Sequence, residues 1–152
     1  EPAPVAVADC VGDALAAARL PFTLRVSATG LDRLPLVLAG REGLALALEN
    51  LLGNAAEALG GAGGGQGTIE IGGRTEEQWV ELTIHDNGPG ISAEAQGRIF
   101  DFDYTARRRT QRGRLGFGLW WVKSLLTRLG GSIAVESDGK AGTTFRLRLP
   151  RA

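Results

Sequence analysis

Residues 85–91, HDNGPGI, decide how this chain is interpreted. They close a run in which Val80, Leu82 and Ile84 alternate with polar residues, as in a half-buried β-strand. Turn-forming residues follow at once, and glycines there permit backbone angles and close approaches that a Cβ forbids. The sequence therefore predicts a strand that ends in a carboxylate, Asp86, beside a gap that admits a flat ligand.

Two interpretations of this turn are open at this point. The Asp86 carboxylate could accept a hydrogen bond from an exocyclic amine such as that of adenine. Alternatively, Asp86 and Asn87 could simply make an Asx-type turn between two elements of the fold.

Composition limits the class of protein. The chain has 152 residues, of which 43% are hydrophobic, so we expect a single domain over residues 1–152. Seventeen basic and seventeen acidic side chains cancel, and we expect neither nucleic-acid binding nor direct membrane contact. Cys10 and His85 are single residues of their types, which argues against a disulfide or a Cys/His metal site and favours a cytoplasmic location.

The sequence also indicates a larger parent. The chain starts at Glu1 and contains no methionine, so we expect it to be part of a longer protein, which could be anchored in a membrane. No apolar run within it approaches the roughly 20 residues that a membrane span needs.

Periodicity predicts three helices, at 9–19 with Asp9 as cap, at 42–59 and at 119–129. Strands are predicted at 22–28, 68–71 and 78–85, around Ile133 and Val135, and from Phe145 to Leu149; a short apolar run at 36–39 could add another. This order predicts an α+β fold, a two-layer α/β sandwich with a mixed, mostly antiparallel sheet and helices on one face.

Two glycine-containing segments border the predicted helices. Residues 60–67, GGAGGGQG, lack the lysine and following helix of a phosphate loop, and we interpret them as a flexible connector. In GRLGFGLWW, residues 113–121, Gly116 and Gly118 directly precede a helix whose first amides suit a phosphate. Those glycines could also serve only a tight turn.

Four segments in order carry a family resemblance. ENLLGNAAEAL resembles the N box, DNGPGI the G1 box, RIFDFDYTAR the F box, and GFGLWWVKSLLTRLGGSIAVES with GTTFRLRLP the G2 box and closing strands of the sensor histidine kinase ATP-binding domain. This domain has the Bergerat fold of the GHKL ATPases, with a mobile nucleotide lid. The resemblance runs from about residue 7 to residue 150.

The resemblance implies ATP and Mg²⁺ as cofactors. Asn54 would ligate Mg²⁺ through its amide oxygen, with Asn50 supporting the metal and the phosphates, and Asp86 would receive the adenine amine. Thr143 would fix a water beside Asp86. The residues implied in nucleotide binding are Asp86, Gly88, Gly90, Ile91, Phe100, Gly116, Phe117, Gly118, Leu119 and Thr143.

The lid would extend over residues 100–115, with Phe100 as its anchor and Arg107 reaching the γ-phosphate. Three positions depart from the usual family pattern. Arg114 stands where a glycine is usual, Glu57 replaces a common basic residue, and the segment 101–103 differs from the proline-containing F box.

The implied reaction is transfer of the γ-phosphoryl group to a histidine on a dimerisation domain outside this chain, with a response regulator downstream. Hydrolytic relatives place a glutamate four residues before the magnesium asparagine, where this chain has Asn50. Alternatives are a non-catalytic nucleotide-binding module and a GHKL hydrolytic ATPase. We expect His85 to be structural, because it lies on a central strand.

Two further features were weighed. Five arginines at positions 107, 108, 109, 112 and 114 lack interleaved aromatics, which is typical of a solvated loop rather than a nucleic-acid site. Trp120 falls opposite the apolar stripe of its helix, which indicates either a docking surface or packing beneath the lid.

Overall fold

A five-stranded sheet lies at the centre of the molecule in the computed structural model, which describes residues 1–60, 66–102 and 118–152. The elements, in chain order, are β1 (Ala3–Val5), α1 (Val7–Ala18), β2 (Arg25–Thr29), a 3₁₀ turn (Leu31–Arg33), β3 (Val37–Ala39), α2 (Arg41–Gly60), β4 (Thr68–Thr75), β5 (Trp79–Asp86), α3 (Ala93–Gln96), α4 (Gly118–Arg128), β6 (Ser132–Glu136) and β7 (Thr143–Pro150).

The strand order in this sheet is β2-β4-β5-β7-β6. β2 and β4 are parallel, whereas β4–β5, β5–β7 and β6–β7 are antiparallel. The prediction of a mixed, mostly antiparallel sheet is therefore confirmed. β5 is the central strand, and its last residue, Asp86, stands opposite Ile69 of β4 and Thr143 of β7.

One sheet face is apolar and meets the helices. α2 and α4 contact the sheet, and α1 packs against α2. α2 has an apolar stripe that is buried at Leu44, Leu48, Leu51, Leu52 and Ala55. It faces alternate residues of the central strands: Ile69, Ile71, Val80, Leu82, Ile84, Phe145, Leu147 and Leu149. Burial of this kind contributes roughly 25 cal/mol per Å² of apolar surface, so this stripe holds the two layers together.

The other sheet face carries charges. Glu81 lies 3.2 Å from Arg74 and 3.4 Å from Arg146, while Arg146 also contacts Glu136 at 2.9 Å. These contacts pair the nearly buried Glu81 carboxylate with two arginines, on the face of the sheet opposite the helices. His85 lies on the same strand, where its Nδ1 is 2.8 Å from the hydroxyl of Thr144.

Three predictions near the N-terminus need correction. α1 begins at Val7 with Ala6 as its N-cap, so Asp9 lies inside the first turn and does not cap the helix. The predicted strand at 22–28 begins only at Arg25, because the amide of Leu24 donates to the carbonyl of Pro21 in a turn. Phe22 is consequently 98% exposed instead of half-buried.

The short elements β1 and α3 were not predicted, because three or four residues are too few to show a period. β1 pairs with β3 in a separate two-stranded sheet. The helix predicted at 119–129 is confirmed as α4, displaced by one residue. Within the described ranges, no helix has both the length and the apolarity needed to cross a membrane.

Candidate functional site

Asp86 is a buried carboxylate at the end of the central strand. Its side chain is only 4% exposed, and its Oδ1 accepts a hydrogen bond from the backbone N–H of Gly88 at 2.9 Å. This bond is the Asx-type turn foreseen from the sequence. It occupies one of the several lone pairs of the carboxylate, so the turn does not by itself exclude a ligand.

Burial raises the pKa of Asp86 above the ordinary carboxyl value, because desolvation disfavours the charged form. The Gly88 hydrogen bond and the nearby His85 partly oppose that rise. A carboxyl group held in this condition at the end of a strand is typical of a binding site. A donor from a ligand would compensate for the lost hydration.

The two glycines of the turn are required by close contacts. A Cβ on Gly88 would lie 2.9 Å from Asp86 Oδ1. Gly90 has φ +84°, and a Cβ there would lie 2.8 Å from the backbone nitrogen of Lys140. The turn after β5 is therefore pressed against the loop that connects β6 and β7.

A second group of residues lies where α2 meets the start of α4. Asn50 is 4% exposed, its Nδ2 donates to the Leu46 carbonyl at 3.2 Å, and its Oδ1 accepts from the Gly118 amide at 3.4 Å. Gly118 opens α4 with φ +79°. Asn54 lies one turn further along α2 and is half-buried. The structure thus brings Asn50 to the helix N-terminus predicted to hold phosphate.

Phe100 packs on the sheet. Its ring meets that of Phe145 edge to face at 6.4 Å, and Lys123 Nζ lies 5.5 Å from the Phe100 ring centre. Phe100 thereby contacts β7, and its role as the anchor of the lid stays a prediction. Leu119 is buried, whereas Ile91 is half-buried in the turn after β5.

Several predicted positions lie outside the described residues. These are the connector residues 61–65, the predicted site residues Arg107, Gly116 and Phe117, and the arginine run. Trp120, at the border of that region, is 41% exposed and meets Phe102 edge to face with ring centres 5.1 Å apart. Its predicted exposure is confirmed, and docking and lid packing both remain open.

Two residues near the turn had no signal that selected them in the sequence. Gln96 lies on α3, which was not predicted, and Ser137 lies in the polar stretch after β6, which indicated only a loop. Both donate hydrogen bonds to backbone carbonyls around the turn. These contacts depend on how the loops fold, and Gln96 to Ser137 spans 41 positions of the chain, so local sequence patterns do not reveal them.

The chemistry of the donor set suits a hard cation that also takes ligands from phosphate. Among the described residues, no group of three or more His, Cys, Asp or Glu side chains is arranged to hold a metal by itself. The side-chain oxygen that contacts the start of α4 belongs to a neutral amide, that of Asn50. Mg²⁺ commonly binds through few protein ligands together with substrate phosphates, so the residues present fit it.

Comparison with protein-family models agrees with this geometry. Residues 39–152 match the family described as histidine kinase-, DNA gyrase B- and HSP90-like ATPase. The chain belongs to this ATPase family. The nucleotide binding expected from the sequence therefore holds for this ATPase domain.

Curated relatives of the ATPase domain are sensor kinases. The chain is 38% identical to the C4-dicarboxylate transport sensor protein DctB of Rhizobium meliloti over 98% of its length, but it spans only 23% of that protein. It is 37% identical to the sensor histidine kinase DcuS of Escherichia coli over 68% of its length, which is 18% of DcuS. The ATPase domain thus corresponds to less than a quarter of these relatives.

Solved structures confirm the fold. The mycobacterial sensor histidine kinase MprB superimposes with a TM-score of 0.78 at 23% identity, covering 99% of this chain and 98% of that one. Full-length ShkA in complex with AMPPNP matches with a TM-score of 0.72 at 22% identity, covering 100% of this chain and 32% of ShkA.

Proposed function

We propose that this ATPase domain binds Mg²⁺-ATP and donates the γ-phosphoryl group to a histidine on a dimerisation domain of the same longer protein. A response regulator would receive the group next, as in two-component signalling. The sensor kinases DctB and DcuS, to which the chain is similar, support this proposal. The AMPPNP complex named for ShkA, which shares the fold, is consistent with it. We place the domain in the cytoplasm, where ATP is available.

The observation that carries the proposal is the buried Asp86 carboxylate at the end of the central strand. The Gly88 N–H orients this carboxylate, and a Cβ at Gly88 would lie only 2.9 Å from its Oδ1. An adenine amine is the kind of donor that this group selects. Thr143, opposite Asp86 in the register, would hold a water that bridges to the base.

Asn54 would hold Mg²⁺ through its amide oxygen, with Asn50 supporting the metal and phosphates. When bound, the ion would neutralise charge on the phosphate oxygens. The Gly118 N–H donates to Asn50, and the N–H groups that follow it in the first turn of α4 would donate to the same oxygens, because the first N–H groups of a helix lack partners within the helix. The chain's own contribution is therefore positioning and electrostatics, which dominate phosphoryl transfer.

Asn50 also argues for transfer rather than hydrolysis. An amide cannot act as a general base toward water at neutral pH, whereas a carboxylate can. The adjacent Glu49 is about 100° further around the helix, so it does not replace a base at that position. The phosphoryl group would thus await an acceptor outside this chain.

Calorimetric titration of the domain with Mg²⁺-ATP and with ADP tests the binding step. We expect saturable binding of both, with turnover of ATP remaining negligible until an acceptor domain is present. The transfer step is tested in the full-length protein by following ³²P from labelled ATP to an acid-labile histidine phosphate. Absence of binding at millimolar nucleotide would overturn the proposal, whereas binding without labelling would favour a non-catalytic nucleotide module.

A further inference from the structure

The hydroxyl of Ser137 joins three backbone groups around the proposed nucleotide pocket. Its Oγ accepts hydrogen bonds from the N–H groups of Ile91 at 2.9 Å and Gly139 at 3.1 Å, and it donates to the carbonyl of Gly142 at 2.7 Å. A serine hydroxyl has one donor and two acceptor lone pairs, so these bonds use its whole capacity. The hydroxyl thereby fastens the turn after β5 to the loop before β7.

Gln96 fastens the same turn from the side of α3. Its Nε2 donates to the carbonyl of Ile91 at 2.8 Å and to the carbonyl of Ser137 at 2.9 Å. The amide nitrogen carries two hydrogens, and both are used. Ile91 is consequently held through its N–H by Ser137 and through its carbonyl by Gln96.

Gly142 connects this network to the carboxylate. Its N–H donates to the carbonyl of Gly88 at 2.8 Å, while its own carbonyl accepts from Ser137. The next residue, Thr143, stands opposite Asp86 in the β5–β7 register. Along this path, one residue, Gly142, therefore lies between Ser137 and the pair formed by Asp86 and Thr143.

No side chain fits at Gly90, the residue of the turn that faces Ser137. A Cβ on Gly90 would lie 2.8 Å from Ser137 Oγ, which is closer than real Cβ contacts allow. The close approach of the hydroxyl to the turn thus depends on the glycine of the turn. Two segments distant in sequence are matched to one another at this contact.

We propose that Ser137 is a positioning residue of the nucleotide pocket. Its hydroxyl fixes the spacing between residues 87–91 and 137–142, so that the space beside Asp86 is formed before the nucleotide arrives. A preformed site does not spend binding free energy on ordering its walls, and the affinity is higher for that reason. This inference rests on the function proposed above, because it concerns the same site.

The test is calorimetric titration of the parent domain and Ser137→Ala with ADP. Loss of the hydroxyl is expected to weaken ADP binding about tenfold, which corresponds to the net loss of one or two hydrogen bonds. Ser137→Thr retains a hydroxyl and should recover most of the affinity. Ser132→Ala is the matched control, because Ser132 is exposed at the opposite end of β6.

A double-mutant cycle in ADP affinity, together with the melting temperature of each variant, separates a positioning role from a purely structural one. If Ser137 and Gln96 hold the same turn, the loss of ADP affinity in the Ser137→Ala, Gln96→Ala double variant should be smaller than the sum of the two single losses. The titrations are made well below the melting temperature of each variant. A purely structural role would lower the melting temperature and leave the ADP affinity unchanged under these conditions.

Failure of the proposed function and failure of the positioning role give different results. A parent domain that binds no ADP contradicts the proposed function. A parent that binds ADP, together with a folded Ser137→Ala variant of equal affinity, overturns the positioning role alone. If Ser137→Ala does not fold, Gln96→Ala decides: about threefold weaker ADP binding is expected from the loss of part of the network, and unchanged affinity overturns the inference.

Discussion

The two sides of the proposed nucleotide site are held in different ways. On the base side, Asp86 and Gly88 are linked to Gly142 and Ser137 through a continuous set of hydrogen bonds of 2.7–2.9 Å. On the phosphate side, the Gly118 N–H at the start of α4 donates to Asn50 Oδ1 of α2 at 3.4 Å. Strand pairing and the loop before β7 therefore build the base side, whereas a contact between two helices contributes to the phosphate side.

This difference predicts that the two sides contribute to nucleotide affinity in different ways. The base side owes its shape to β5–β7 pairing and to packed glycines, so substitutions there should affect affinity strongly even without metal. On the phosphate side, the proposed roles of Asn54 and Asn50 depend on the nucleotide phosphates and the metal. Substitutions there should affect mainly the part of the affinity that depends on Mg²⁺.

Asp86→Ala is expected to have the largest effect. It removes the proposed acceptor for the adenine amine, and we expect about a 10- to 150-fold loss of ADP affinity, because hydrogen bonds to charged groups contribute about 1.5–3 kcal/mol. Calorimetry measures the affinity, and circular dichroism shows whether the fold is intact. Asp32→Ala, at an exposed carboxylate of the 3₁₀ turn, is the control. Parent-like affinity in Asp86→Ala would remove Asp86 from the site.

Gly90→Ala should have the next largest effect. The alanine must adopt φ +84° and approach the Lys140 nitrogen, which costs about 1–3 kcal/mol of folding free energy. Urea denaturation measures this loss. Gly12→Ala in α1 is a matched control, because a Cβ there meets nothing within 4 Å, and it should stabilise the domain by up to about 1 kcal/mol. Equal stability of the two variants would contradict the tight fit of the turn.

Asn54→Ala sharpens the comparison from the phosphate side. We expect the ratio of ATP affinities with and without Mg²⁺ to fall about tenfold, a loss of about 1.4 kcal/mol, because the amide oxygen that ligates the ion is removed. Adenosine, which has no phosphates, should bind the variant and the parent equally. A change in adenosine affinity would show that Asn54 acts on the base side instead.

Asp86→Asn should have the smallest effect on stability, and this effect should depend on pH. Because burial raises the folded-state pKa of Asp86, the folded protein binds this proton more tightly than the unfolded chain does. The stability of the parent relative to Asp86→Asn should therefore fall as pH rises from the ordinary carboxyl pKa of about 3.9 through the raised folded-state value. At neutral pH the parent retains this full loss of stability relative to Asp86→Asn.

Urea unfolding of both proteins between pH 3.5 and pH 7.5 measures this difference. The asparagine can still accept the Gly88 hydrogen bond through its amide oxygen, so the turn should be retained. A parent that becomes more stable than Asp86→Asn as pH rises would contradict the direction of the pKa shift. Greater stability with weaker ADP binding is the usual relation at a binding site.

The fold was largely predictable because its main elements are long and periodic. The stripe on α2 and the alternation on β5 and β7 repeat often enough to fix both element type and buried face. The prediction failed at Phe22, where a turn closed by Pro21 and Leu24 replaces the start of a strand. An alternating pattern alone cannot show where a strand finds its hydrogen-bonding partner.

The site was predictable in part. Asp86 and Asn50 were selected from the sequence, and the structure shows both as buried polar side chains with named partners. Their roles toward nucleotide remain predictions. Ser137 and Gln96 were not selected, because their significance comes from contacts across 46 and 5 positions of the chain with the same residue, Ile91.

The sequence by itself determined the two-layer architecture, the glycine turn after β5 and the membership of an ATPase family, since each depends on periodicity or on local motifs. Only the tertiary structure decided that Asp86 stands opposite Thr143, that Asn50 meets the start of α4, and that Ser137 joins the turn to the loop before β7. These facts depend on strand register and on packing between distant segments. Both follow from how the whole chain buries its apolar surface, which no local stretch of sequence specifies.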